Sequence, residues 1–109
     1  LLHQGESNSG DRTWPERVKK VYGDLLRDLK LESEQVPLIV GEMVHTDQNG
    51  QCASMNEIIN TLPQVIPAAR VVSSAGCPAA DDHLHFTAEG YRILGKRYAI
   101  QMLEAMGIR

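Results

Sequence analysis

Between Pro37 and Val44 the chain reads Pro-Leu-Ile-Val-Gly-Glu-Met-Val, a short run that is mostly apolar and shows no in–out alternation. A strand of that kind has to be covered on both faces, which is the situation of a strand inside a parallel sheet. Parallel neighbours need crossover connections, usually helices, and the flanking residues supply them. Thr13-x-x-Glu16 has the form of a capping box, with Pro15 tolerated in the first turn. It predicts a helix to about Leu29, with Val18, Val21, Tyr22, Leu25 and Leu29 as its apolar stripe. A second helix is predicted over Ala53 to Leu62, closed by Pro63 and Pro67, and a strand over Ala69 to Ser74. Thr87 is the predicted N-cap of a last helix, Ala88 to Met106, with Glu89 in its first turn. Tyr91, Leu94, Tyr98, Met102 and Met106 form its expected inner face, and Gly107 its stop. Gly90 and Gly95 each cost about 1 kcal/mol against Ala inside a helix, so both are expected to permit close approach of a neighbour. With Leu1-Leu2-His3 as the tail of an earlier strand, strand and helix alternate three times. The expected fold is α/β, three layers with helices on both faces of a parallel sheet.

At 109 residues the chain is one domain at most. A net charge of −3 with scattered Lys and Arg argues against a nucleic-acid partner. No apolar run approaches the ~20 residues that span a bilayer, so no membrane partner is expected. Cys52 and Cys77 allow either one bridge or two free thiols. The opening Leu1-Leu2-His3 has no Met and no polar lead-in, and reads as a start inside a strand. The expectation is a C-terminal half of a domain, whose exposed sheet edge would pair with the other half or with a second copy.

Two loops carry the chemistry-bearing side chains. Gln4 to Asn8 follows the first strand, and Ala75 to His85 follows the third. In parallel sheets the working loops lie beyond the carboxyl ends of the strands, so both are expected on one edge. Asp82 and His85 at the ends of one turn bring their Cα atoms within ~7 Å. The carboxylate can then hold one ring nitrogen and leave the other free to take a proton from a hydroxyl. A separate reading takes Cys77, Asp81, Asp82, His83 and His85 as a transition-metal set. Its spacing, with Pro78-Ala79-Ala80 intervening, does not match a structural zinc site.

His3-Gln4-Gly5-Glu6-Ser7-Asn8 resembles the Trp-x-Gln-Gly-Glu block of the SGNH-hydrolase superfamily, in the branch of carbohydrate esterase family six and the sialic-acid-specific O-acetylesterases. Asp82-x-x-His85-Phe86, followed by Gly90, Gly95 and Arg97-Tyr98-Ala99, is similar to that family's closing block. The resemblance implies the C-terminal portion of an SGNH (flavodoxin-like) domain and a serine esterase that needs no cofactor. It implies Asp82 orienting His85, His85 deprotonating a serine, and Gln4 donating its amide to the oxyanion where other branches carry Asn. Glu6 would sit behind them, steadying Gln4 or the loop. The substrate implied is an acylated carbohydrate, acetylated xylan or sialic acid, and the family favours a secreted or periplasmic setting.

Two departures matter. Leu2 stands where the family usually has Trp, which alters one wall of the site and is compatible with a larger, hydroxycinnamoyl acyl group. The nucleophile's Gly-Asp-Ser-type block is absent from these residues, so the serine is expected outside them. Gly5-Glu6-Ser7-Asn8-Ser9 falls one glycine short of a Gly-x-Ser-x-Gly elbow, and Ser73 and Ser74 sit at a strand end. A non-catalytic carbohydrate-binding or scaffold remnant is the remaining alternative.

Overall fold

The computed structural model describes residues 1–108. Strands β1 (Leu38–Gly41) and β2 (Ala69–Val72) pair in parallel, Leu38 opposite Ala69 and Gly41 opposite Val72. Leu2 extends this small sheet by a parallel bridge to Val40, donating to Ile39 O (2.8 Å) and accepting from Gly41 N–H (3.1 Å). Among the described residues four α-helices accompany the strands: α1 (Trp14–Leu29), α2 (Met55–Ile59), α3 (Leu62–Val65) and α4 (Ala88–Ala105). The α/β expectation therefore holds in its coarse form.

Neighbouring side chains of a strand point to opposite faces, and the two cores follow that rule. Val40 joins Trp14, Met43, Met55, Ile59 and Leu62 beneath α1–α3. Ile39 joins Val72, Phe86, Leu94 and Tyr98 beneath α4. β1 is shorter than the apolar run, since Glu42, Met43 and Val44 leave the ladder yet stay buried. A satisfied polar network makes that burial tolerable. The Glu42 carboxylate accepts from Ser74 N–H (2.9 Å) and from the Asn60 amide (2.7 Å). Asn56 pairs with both the N–H and the C=O of Met43, and the Ser74 hydroxyl donates to the same carbonyl (2.6 Å).

Several local expectations are corrected. Thr13 forms no side-chain cap; its hydroxyl (2.6 Å) and N–H (2.9 Å) both donate to the Asp11 carboxylate. In α1, Tyr22 is buried and Val18 half-buried, but Val21, Leu25 and Leu29 are exposed. The core-facing stripe begins instead at Trp14 and takes in Leu26. The 53–62 helix is two short ones, because the chain turns at Asn60–Thr61 and Pro63 lies in the first turn of α3. Thr87 does cap α4, accepting from Gly90 N–H at 3.1 Å. On α4, Leu94 and Tyr98 are buried while Tyr91 and Met106 are exposed. Of the two α4 glycines Gly90 permits close approach: a Cβ there would collide with Pro78 O. Gly95 is not, having open space around it.

Both sides of Leu1–Leu2 are open. A groove of about 480 Å³ runs between Leu1, Leu2, Leu38 and the Val18, Val21 and Leu25 side of α1. Another of about 520 Å³ runs between Leu1, Leu2 and the Tyr91, Leu94, Tyr98 and Met102 side of α4. Among the described residues no helix is long and apolar enough to cross a membrane.

Candidate functional site

Residues 78–87 form a doubled-back loop ahead of α4, closed by the antiparallel bridge Ala79–Phe86 and by Ala80 N–H to His85 O (2.8 Å). Its tip is built around one carboxylate. Asp82 Oδ1 accepts the N–H of Leu84 and of His85, each at 2.9 Å, and Oδ2 lies 2.5 Å from His85 Nδ1. Opposite an ionised carboxylate, Nδ1 must carry the proton, so neutral His85 has its lone pair at Nε2. The hydrogen bond from the His85 ring holds the Asp82 carboxyl well below the usual carboxylate range, and the two backbone N–H groups add to this. In return that hydrogen bond, and then the charge of Asp82, raise His85 above 6.5; the Glu6 carboxylate pushes in the same direction. Both side chains are substantially exposed.

The Gln4–Asn8 loop reaches the same end of the molecule through a short chain of contacts. Cys52 Sγ lies 3.9 Å from Glu6 O, and its neighbour Gln51 bonds to the carbonyls of Asp82 and His83. Gly5 fits here because a Cβ would come within 3.2 Å of Met55 and 3.4 Å of Met43. The Gln4 amide is fixed at both ends. Trp14 Nε1–H donates to Gln4 Oε1 (2.7 Å), and Gln4 Nε2 donates to Asn8 Oδ1 (2.8 Å). An indole N–H can only donate, so it dictates which end of the amide is oxygen and directs the NH₂ end away from the helix. One amide hydrogen is taken by Asn8, and no direct hydrogen bond joins Gln4 to Asp82 or His85 among the described residues. His3 is anchored behind, its Nε2 3.2 Å from Glu42 O and its ring against Phe86.

Other candidates separate. Among the described residues no three His, Cys, Asp or Glu side chains converge as metal ligands. The Cys77–Asp82–His83–His85 reading fails on geometry: Cys77 is fully buried in the α4 core, where burial pushes its thiol pKa up. His83 Nδ1 is turned to Gln48 O (3.0 Å), and Asp81 is exposed. Cys52 and Cys77 are both free thiols. Ser74 is fully buried and committed to Met43 O, and Ser73 Oγ accepts from Ala75 N–H. Ser7 is exposed in a single 3₁₀ turn, Glu6–Asn8. No sequence motif singles out Asn8 and Trp14, which fix Gln4, or Gln51, which with Cys52 joins the two loops. Trp14 could have been singled out as the one tryptophan at the mouth of a helix.

A model of the family described as carbohydrate esterase, sialic acid-specific acetylesterase, matches residues 1–104. The match takes in the Gln4–Asn8 loop, the Asp82–His85 turn and nearly all of α4, and the chain belongs to that carbohydrate esterase family.

Proposed function

We propose that these residues form the base-bearing part of a serine-dependent carbohydrate O-acylesterase. Neutral His85 takes the proton of a serine hydroxyl at Nε2, while Asp82 holds the Nδ1–H tautomer and stabilises the imidazolium as it forms. The Gln4 amide, with its oxygen end tied to Trp14, presents its NH₂ end to the developing oxyanion. Glu6 adds negative charge near the ring and anchors its loop. The reading is carried by one observation: Asp82 Oδ2 and His85 Nδ1 meet at 2.5 Å at a loop tip whose other ring nitrogen is free to act.

The serine is contributed from outside these residues, by a segment that completes a three-layer α/β/α domain. Two features support that. Both faces of the Leu1–Leu2 edge are apolar and open, and the outward-facing groups of such an edge accept a further strand. Ser7, two residues after Gly5, is on a surface turn and lacks the elbow's second glycine, where Ser9 stands. The substrate class is an acetylated sugar, with Leu2 leaving room for a bulkier acyl group.

The test is hydrolysis of p-nitrophenyl acetate by residues 1–109 alone and by a polypeptide in which they are joined to a serine-bearing segment of the family. Turnover is expected only from the second. Turnover by the first would move the nucleophile to Ser7, and absence from both would favour a carbohydrate-binding remnant.

A further inference from the structure

The Asp82–His85 tip is exposed and hangs at the end of a doubled-back loop, so something must hold it against the body. Its internal bonds all converge on Asp82 and hold only as long as Asp82 itself is held in place. The outward tie comes from the segment after β1. Gln51 donates its backbone N–H to His83 O (3.0 Å) and its side-chain amide to Asp82 O (2.8 Å), gripping two successive carbonyls. His83 is held with φ of 55°, a left-handed conformation that is costly for a residue with a side chain. That conformation turns its ring back, where Nδ1–H donates to Gln48 O (3.0 Å). On the other side of Gln51, Cys52 touches Glu6 O. Gln51-Cys52 thus stands between the two loops that carry the candidate site.

We propose that Gln51 is a positioning residue, a two-point latch that sets the Asp82–His85 turn against the Gln4–Glu6 loop. It touches neither ring nor carboxylate and acts only through main-chain carbonyls. Loss of its side-chain bond leaves the tip held by this segment only at His83, through Gln51 N–H to His83 O and His83 Nδ1–H to Gln48 O, so Asp82 can swing about that point. Pivoting frees the Leu84 and His85 N–H groups from Asp82 Oδ1 part of the time and weakens the carboxylate–imidazole contact. The proposal rests on the reading of Asp82–His85 as the working pair, but its test needs no ester turnover.

The experiment is proton and nitrogen NMR of the 109-residue chain and of Gln51→Met, which keeps side-chain volume and removes the donor. The groups whose charge acts on the His85 ring are Asp82 and Glu6, and both are unchanged in the variant. The variant is expected to titrate His85 at a lower pH than wild type and to exchange the Leu84 and His85 amides about tenfold faster, the worth of one net hydrogen bond. The Ile39 and Val40 amides in the core should exchange as before. Gln51→Asn, one methylene too short to span the gap, is expected to behave the same way and serves if Gln51→Met does not fold. An unchanged His85 titration with unchanged Leu84 and His85 exchange in a folded variant overturns the latch. A negative result leaves the role of His85 as base standing, whereas loss of that role in turnover assays leaves the latch untouched.

Discussion

Replacing Asp82 by Asn separates the shape of the turn from the chemistry of the pair. Asn keeps an oxygen that can accept the Leu84 and His85 N–H groups, both 2.9 Å away in the native turn. Its NH₂ group then takes the place of Oδ2, facing His85 Nδ1 across 2.5 Å. Two N–H groups cannot face each other there, so the ring must offer a lone pair at Nδ1 and carry its proton at Nε2. That is the wrong tautomer for accepting a proton from serine. General-base assistance contributes about 10²–10⁴-fold, and the tautomer switch removes most of it even though solvent around the exposed turn screens the charge effect. Turnover of p-nitrophenyl acetate by the polypeptide carrying the serine should therefore fall about 10²–10⁴-fold. On the 109-residue chain, the His85 titration should move to lower pH, since the first and largest cause of its elevation is gone. Turnover within twofold of wild type, or an unmoved His85 titration, would mean that Asp82 does not set the His85 tautomer.

Other outcomes follow from the same contacts. Because His85 is raised above 6.5, kcat/KM should increase with pH through a limb lying above that value, measured as a pH–rate profile. For stability the signs differ: Asp82, depressed, contributes above 3.8 and loses that as pH falls through its folded value, whereas His85, raised, contributes below 6.5 and loses that as pH rises through its own. The Tm difference between wild type and His85→Ala should thus be largest between pH 3.8 and 6.5. Gly90→Ala should destabilise by about 1–3 kcal/mol, because the new methyl meets Pro78 O, while Gly95→Ala should stabilise by up to about 1 kcal/mol; urea melts distinguish the two signs. Tyr98→Phe should cost about 1 kcal/mol in the same assay: Tyr98 Oη donates to Leu2 O at 2.6 Å, but that carbonyl keeps its bond from Gly41.

The apolar run at 37–44 was enough to predict a parallel α/β arrangement, because only a strand covered on both faces tolerates Leu-Ile-Val without alternation. The Asp82–His85 pairing was legible for a related reason: three-residue spacing in a turn leaves few arrangements. Side-chain facing on α1 was not. Val21 and Leu25 satisfy helical periodicity as well as Tyr22 does, yet they line the open groove beside Leu1 and Leu2. Periodicity reports an apolar face without saying what covers it. The helix start misled because Thr13 and Glu16 match a capping pattern, while Asp11, two residues earlier, holds both the N–H and the hydroxyl of Thr13. Gln51 was invisible in principle, since its partners are main-chain carbonyls and any residue could have supplied them. Glu42 falls within the apolar run, yet its carboxylate joins the ends of both strands to α2 through Ser74 and Asn60.

The most direct measurement is kcat/KM for an acetyl ester in the serine-bearing polypeptide with His85→Ala, beside His83→Ala as the neighbouring control. Members of a Ser-His-Asp set act as a unit, so a loss of about 10⁴-fold or more is expected at His85 and a mild loss at His83, whose ring is engaged with Gln48. Retention of most activity without the imidazole at 85, or a larger loss at 83, would contradict the role of His85 as the base.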